Sequence, residues 1–260
     1  MKHYKNYIFD LYGTLVDIET NEKSPSLWKK MAELYSVYGA DYRPAELRRA
    51  YTSIVKEEES ILGKEEDTAY PEIKLEKVFV RLYKEADHTH ESIYSLNDDQ
   101  LPAFSQFIAN AFRVISRKRL AAYPNTEKVL KTLKERGCGV YLLSNAQYVF
   151  TMPEIEKTGL LSYFDGMFIS SEHRVRKPEP EFMRELLDEY GLDKDQCVMV
   201  GNDYDSDIGI AASVGMDSIF INTFELSKDE KNKRLLAMRS RVGCTDYEPV
   251  LTVDDIGGIV

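Results

Sequence analysis

Five short apolar runs constrain this chain most: Tyr7 to Leu11, Val140 to Leu143, Met167 to Ile169, Cys197 to Val200 and Ser218 to Ile221. Each is followed by polar or Gly-containing residues and then by helical spacing. A strand buried on both faces reads as a continuous apolar run, so this alternation predicts a parallel sheet covered by helices. Three of the helices are legible. Thr126 to Arg136 places Val129, Leu130 and Leu133 on one face and stops at Gly137. Glu181 to Tyr190 repeats the device before Gly191, and Asp207 to Val214 closes at Gly215.

More than a hundred residues separate the first run from the second, and helical periodicity fills the gap. Leu27, Met31, Leu34, Tyr35 and Tyr38 share one stripe, and Phe104, Phe107, Ile108, Ala111, Phe112 and Ile115 form the longest. Such aromatic stripes read as helix packing. The expected organisation is an α/β core from residues 1–16 and 123–260, interrupted by an α-helical cap at 17–122. A chain of 260 residues with 17 Tyr and 11 Phe has enough to bury for both units.

The formal charge of −10 argues against nucleic-acid backbones and anionic membranes as partners. An anionic substrate must then be captured by local positive charge or by a cation. Cys138, Cys197 and Cys244 lack the short paired spacing of a zinc site or a disulfide framework. The opening MKHYKNYIFD has no apolar signal region, and no apolar run approaches ~18 residues, so the cytoplasm is the default location.

Four segments carry chemistry, each at the carboxyl end of an expected strand, where an open parallel sheet binds ligands. The first is Asp10-Leu11-Tyr12-Gly13-Thr14-Leu15, an acid that is costly to bury unpaired. A cap on the following turn explains it equally well. The second, Ser144-Asn145, is by itself an ordinary turn pair. The third, Arg176-Lys177-Pro178-Glu179-Pro180, fixes a cation ahead of a helix, though most such loops are simply solvated. The fourth, Asn202-Asp203-Tyr204-Asp205-Ser206-Asp207, brings three carboxylates after a strand, more than helix capping needs.

In this order the four segments resemble the motifs of the haloacid dehalogenase superfamily, with the helical insertion where that family places its mobile cap. The resemblance runs from Tyr7 to Asn222. It implies a Rossmann-like three-layer α/β/α core and a hydrolase in which Asp10 is the covalent nucleophile. Lys177 resembles the cation that steadies Asp10, and Ser144 and Asn145 resemble the groups that bind the transferring group. Tyr12, Gly13 and Thr14 belong to the same substrate-binding loop. The resemblance further implies a Mg²⁺ site drawn from Asp10, the Tyr12 carbonyl, Asn202, Asp203 and Asp207.

Two positions depart from the family's phosphatase pattern. Tyr12 stands where phosphatases carry a general acid and base, as it does in the family's dehalogenases, whose halide leaves without a proton. Asn202 stands where Asp is commoner. Against a dehalogenase, several carboxylates in one crevice need a cation, and the cap has no convincing carboxylate-holding Arg beyond Leu47-Arg48-Arg49. The expectation is therefore a Mg²⁺-dependent phosphatase acting on a small phosphorylated molecule. The alternatives are a metal-free 2-haloacid dehalogenase or a weakly active phospho-ligand binding protein.

Among the remaining candidates, His88 and His90 are placed to replace the missing acid, although a surface pair is the commoner arrangement. The basic stretch Arg113 to Arg119 is expected to end the last cap helix, where cations complement its dipole. Trp28 is expected to pack within the cap. Hinges are expected near Val16 to Glu19 and Ala121 to Tyr123.

Overall fold

The computed structural model describes residues 3–88 and 92–260. Its main sheet has six parallel strands in the order β5-β4-β1-β6-β7-β8. They are β1 Asn6–Phe9, β4 Gly139–Ser144, β5 Gly166–Ile169, β6 Cys197–Gly201, β7 Asp217–Ile221 and β8 Leu251–Val253. Strand β1 is central, with Phe9 level with Leu142 on one side and Val200 on the other. All five expected strands are present, each within about two residues of the apolar run that marks it.

Alternation along β1 builds the layers. Tyr7 and Phe9 face one cluster, together with Val129, Leu130 and Leu133 of helix α5 (Thr126–Glu135) and Ile155 of α6 (Tyr148–Lys157). Ile8 faces the other, with Phe182, Met183 and Leu186 of α7 (Pro180–Glu189) and Ile210 and Ala211 of α8 (Gly209–Val214). The period of two sends neighbouring residues to opposite sides, which gives a Rossmann-like α/β/α sandwich. Helix α9 (Lys228–Val242) covers the π-helical turn Tyr204–Ile208 through Met238.

Between β1 and β4 the chain leaves through β2 (Val16–Thr20) and returns through β3 (Arg117–Ala122), paired antiparallel with Val16 opposite Ala122. Between those strands lie α1 (Pro25–Val37), α2 (Pro44–Glu65), α3 (Leu75–Lys84) and α4 (Leu101–Ser116). Tyr35, Phe79, Phe104 and Phe112 form the core of this helical insertion, and Val149 and Phe150 of α6 join it from the sandwich. Trp28 is buried there against Tyr51 and Phe112. Among the described residues no helix is long and apolar enough to cross a membrane.

The structure corrects one expectation and adds one strand. Helix α4 ends at Ser116, so Arg117 to Arg119 continue as a strand rather than a helix terminus. The two linkers supply each other's backbone partners, a stronger local solution than leaving either as coil. Strand β8 went unforeseen because three residues after a long polar helix carry too little pattern.

Phe112 is fully buried at the centre of the insertion's aromatic cluster. Phe112→Ala should cost about 3–5 kcal/mol in chemical denaturation. Val114→Ala, at a position 59% exposed on the same helix, should stay within about 0.5 kcal/mol.

Candidate active site

Asp10 follows the last residue of the central strand, its amide donating to Val200 O at 2.9 Å. The chain then turns tightly, with the amides of Leu15 and Val16 both donating to Leu11 O. Gly13 makes that turn possible: its φ is +86°, and a Cβ there would lie 2.5 Å from the Asn202 side chain. Thr14 is buried in the same turn, its one hydroxyl proton within reach of both Asp10 Oδ2 at 3.4 Å and Asn202 Oδ1 at 3.3 Å.

Lys177 is the hub. Its side chain is 1% exposed, and Nζ donates at 2.7 Å to Asp10 Oδ1, at 2.7 Å to Asp207 Oδ1 and at 2.7 Å to Leu143 O. An ammonium has three donors, and all three are used. Asn145 clamps the Lys177 backbone from both sides, donating to its carbonyl at 2.9 Å and accepting from its amide at 2.7 Å. Asn145 is thereby a brace for Lys177 as well as a lining residue of the adjoining cavity. Ser144 Oγ donates to Asp10 Oδ1 at 3.4 Å.

Asp207 is fully spoken for. Its Oδ2 accepts from the amides of Asn202 and Asp203 at 2.9 and 3.0 Å, while Oδ1 takes Lys177. Gly201 permits this approach, because a Cβ there would meet the Asp207 carboxylate at 2.3 Å. Burial raises the Asp207 carboxyl and the charge of Asp10 adds to the rise, with Lys177 opposing both. Three donors aimed at its two oxygens favour the ionised form. Burial works against the Lys177 ammonium, but Asp10 and Asp207 outweigh it and raise its affinity for the proton.

The rest of the acidic stretch points elsewhere. Asp203 Oδ1 accepts from Ser206 N at 2.7 Å and Ser206 Oγ at 3.0 Å, capping the following turn. Asp205 pairs with Arg241 at 3.0 Å. Of Asn202 to Asp207, then, the side chains brought to Asp10 are Asn202, through Thr14, and Asp207, through Lys177. Among the described residues no three His, Cys, Asp or Glu converge in a metal-binding group.

Tyr12 belongs to a second buried network. Its hydroxyl donates to Glu154 Oε2 and lies 3.3 Å from Thr151 Oγ1, a hydroxyl that can donate to it. Glu154, 1% exposed, also accepts from Arg113 Nε at 2.8 Å, Arg113 Nη2 at 3.0 Å and Arg117 Nη1 at 2.8 Å. Arg113 sits 5.4 Å from the centre of the Tyr12 ring and 5.2 Å from that of Phe150. Burial and then the Glu154 charge push the Tyr12 hydroxyl well above the usual phenol range. Burial pushes Glu154 up, yet its bonds from Arg113 lead the groups that hold it below the ordinary glutamate value. Sequence reasoning missed Glu154 and treated Arg113 as a helix-end charge. The available cue was an acid four residues after Phe150, on the buried side of α6.

Beside this network lies a cavity of 330 Å³ between insertion and sandwich, lined by Tyr12, Asn145, Gln147, Glu22, Glu72 and Arg113 among others. His88 is not there: it packs on Tyr83, and its Nδ1 bonds Gly39 O at 3.0 Å within the insertion. His90 lies outside the described residues. Leu47 is core, and Arg48 and Arg49 line a separate cleft between α1 and α2.

The parallel sheet with helices on both faces places the chain in the α/β class, with Asp10 bonded to the buried Lys177 at the head of its central strand. The chain belongs to the haloacid dehalogenase-like hydrolases, whose family model matches residues 4–215. It is 31% identical over 113 residues to a glyceraldehyde 3-phosphate phosphatase of Methanothermobacter thermautotrophicus, covering 44% of this chain and 50% of that one. It is 27% identical over 121 residues to a phosphoserine phosphatase of Thermus thermophilus, covering 46% and 48%. The chain thus spans about half the length of these curated relatives. By fold it is similar to a 2-haloacid dehalogenase of Pseudomonas syringae pv. tomato, with a TM-score of 0.65, 17% identity and coverage of 97% and 94%. It is also similar to a phosphatase of Thermococcus onnurineus, with a TM-score of 0.57, 18% identity and coverage of 98% and 95%.

Because the Glu154 carboxyl is lower in the folded state, its stabilisation is complete above the usual value of 4.5 and is lost as pH falls through the folded one. Glu154→Gln should therefore cost about 3–5 kcal/mol near neutrality. In denaturation titrations its difference from the unsubstituted protein should shrink below pH 4.5. A pH-independent difference would show that the carboxylate charge is not the source.

Proposed function

We propose that the protein is a phosphatase that hydrolyses a small phosphorylated molecule through an aspartyl-phosphate on Asp10. The observation that carries this reading is Asp10 itself, held at the sheet's carboxyl edge by Lys177, Ser144 and Thr14. Phosphatases among the curated relatives support it. The cavity of 330 Å³ is in keeping with a small leaving group.

Mg²⁺ binds through one or two carboxylates, with waters and substrate phosphate oxygens completing its shell. Asp10, the Asn202 amide oxygen and the Tyr12 carbonyl meet the low end of that requirement, and Thr14 links the first two. Asp203 and Asp207 are bound to Ser206 and Lys177 instead, which favours Asn202 over Asp203 as a ligand. Bound there, the ion would neutralise charge on the transferring phosphoryl group.

In the first step the Asp10 carboxylate forms a bond to phosphorus and the ester bond to the leaving group breaks. Lys177 orients Asp10 and opposes its charge, and Ser144 offers a hydroxyl to the phosphoryl oxygens. Water then attacks the aspartyl-phosphate, releasing phosphate and restoring Asp10.

Tyr12, and the engagement of Asp203 by Ser206 and of Asp207 by Lys177, also favour a second reading, a dehalogenase that needs neither a metal nor a proton for its leaving group. A panel of phosphomonoesters assayed for phosphate with Mg²⁺ and with EDTA, beside 2-chloropropionate assayed for chloride, separates the two. We expect Mg²⁺-dependent phosphate release that Asp10→Asn lowers by about 10⁴ or more. Chloride release in EDTA with no phosphate from any ester would establish the second reading instead.

A further inference from the structure

The groups that touch Asp10 are Lys177, Ser144 and Thr14. None is a proton donor to a departing alkoxide: every Lys177 N–H is committed to an oxygen, and hydroxyls are weak acids. Two residues on, Tyr12 is turned to Glu154 and Thr151 in a pocket closed by Arg113. The nearby cavity carboxylates Glu72 and Glu59 are occupied by cations or donors. Arg176 lies 3.8 Å from Glu72 and 3.4 Å from Glu59, and Glu72 also accepts from Gln147 and Ser170. Glu22, also on the cavity wall, has its carboxyl raised by burial with Arg113 opposing, and the test below isolates it.

We propose that this site is built for phosphate compounds whose leaving group is already a stable anion, such as acyl, enol or aryl phosphates, and not for simple alkyl phosphates. This rests on the phosphatase reading and narrows it. The first step needs no proton: the Asp10 oxygen bonds to phosphorus, and the leaving oxygen departs with the bonding pair as carboxylate, enolate or phenolate. In the second step water adds to phosphorus and the Asp10 carboxylate leaves, again as a stable anion. The protons of that water pass to phosphate and solvent, so atoms and charge balance without Tyr12. Glu154, through Arg113 and Arg117, acts as a positioning residue that keeps the Tyr12 hydroxyl out of the reaction.

The test is a leaving-group series: acetyl phosphate, 4-nitrophenyl phosphate, phenyl phosphate and two alkyl phosphates, with kcat/KM measured for each. The expected result is a steep decline with rising leaving-group pKa, placing the alkyl esters below the trend of an acid-assisted enzyme by about 10²–10⁴. Tyr12→Asp should flatten the slope by raising the alkyl rates. Glu22→Gln should leave the slope of the otherwise unchanged protein as it was, which keeps the series informative if Tyr12→Asp does not fold. Alkyl and aryl esters hydrolysed alike would overturn the inference while leaving the phosphatase reading intact. So would a slope that steepens in Glu22→Gln, because Glu22 would then be supplying the proton. Phosphate from none of the five compounds would remove the reading beneath it.

Discussion

One buried ammonium holds the active centre together. Lys177 lies under the sheet's carboxyl edge, where desolvating a cation costs several kcal/mol unless its donors are all met. Asp10, Asp207 and Leu143 O meet them, and each partner belongs to a different part of the sandwich. The nucleophile follows β1, the carbonyl is in β4, and Asp207 lies in the turn after β6. These strands are neighbours in the order β4-β1-β6. The register that sets Phe9 level with Leu142 and Val200 therefore delivers all three acceptors to one nitrogen. A slip of one residue in any of them would strand a buried charge.

The second network joins the helical insertion to that centre. Arg113 comes from α4 and Arg117 from the first residue of β3, whereas Glu154 belongs to α6 of the sandwich. Two guanidiniums on one carboxylate leave a surplus positive charge at the boundary, in a protein whose overall charge is −10. The adjoining cavity wall adds Glu22, Glu59 and Glu72 beside Arg113, so that surplus is confined to the Glu154 contact. The hairpin β2–β3 carries the covalent connection beside it, so opening the insertion requires parting Arg113 from Glu154 while the strands bend.

Much of the sandwich was legible because its physics is local. Continuous apolar runs such as Cys197 to Val200 mark strands buried on both faces, and Gly137, Gly191 and Gly215 mark helix ends, all three with positive φ. Asp10 stood out because charge beside an apolar strand end is costly without a partner, whereas Lys177 stood out only through the resemblance of its segment. What stayed hidden depended on long-range pairing. That Asp203 caps Ser206 while Asp207 turns to Lys177 is decided by a π-helical turn, which no spacing rule distinguishes from an α-helical start. Glu154 was invisible for a related reason. An acid inside a helix is usually solvated, and its three donors come from residues 37 to 142 positions away.

The two departures at Tyr12 and Asn202 make one electrostatic sense together. Asp10 and Asp207 bring two negative charges to the centre and Lys177 returns one. Carboxylates at positions 12 and 202 would add two more, in a site where Asp207 is already raised by burial. A centre so loaded could keep its nucleophile ionised only with a divalent cation firmly in place. With a phenol at 12 and an amide at 202, Lys177 alone comes within one charge of balance. Such a centre gives up the acid that position 12 would supply and weakens the hold on any metal ion, because both properties draw on the same carboxylates. It gains an Asp10 that is paired with Lys177 and aligned before anything binds.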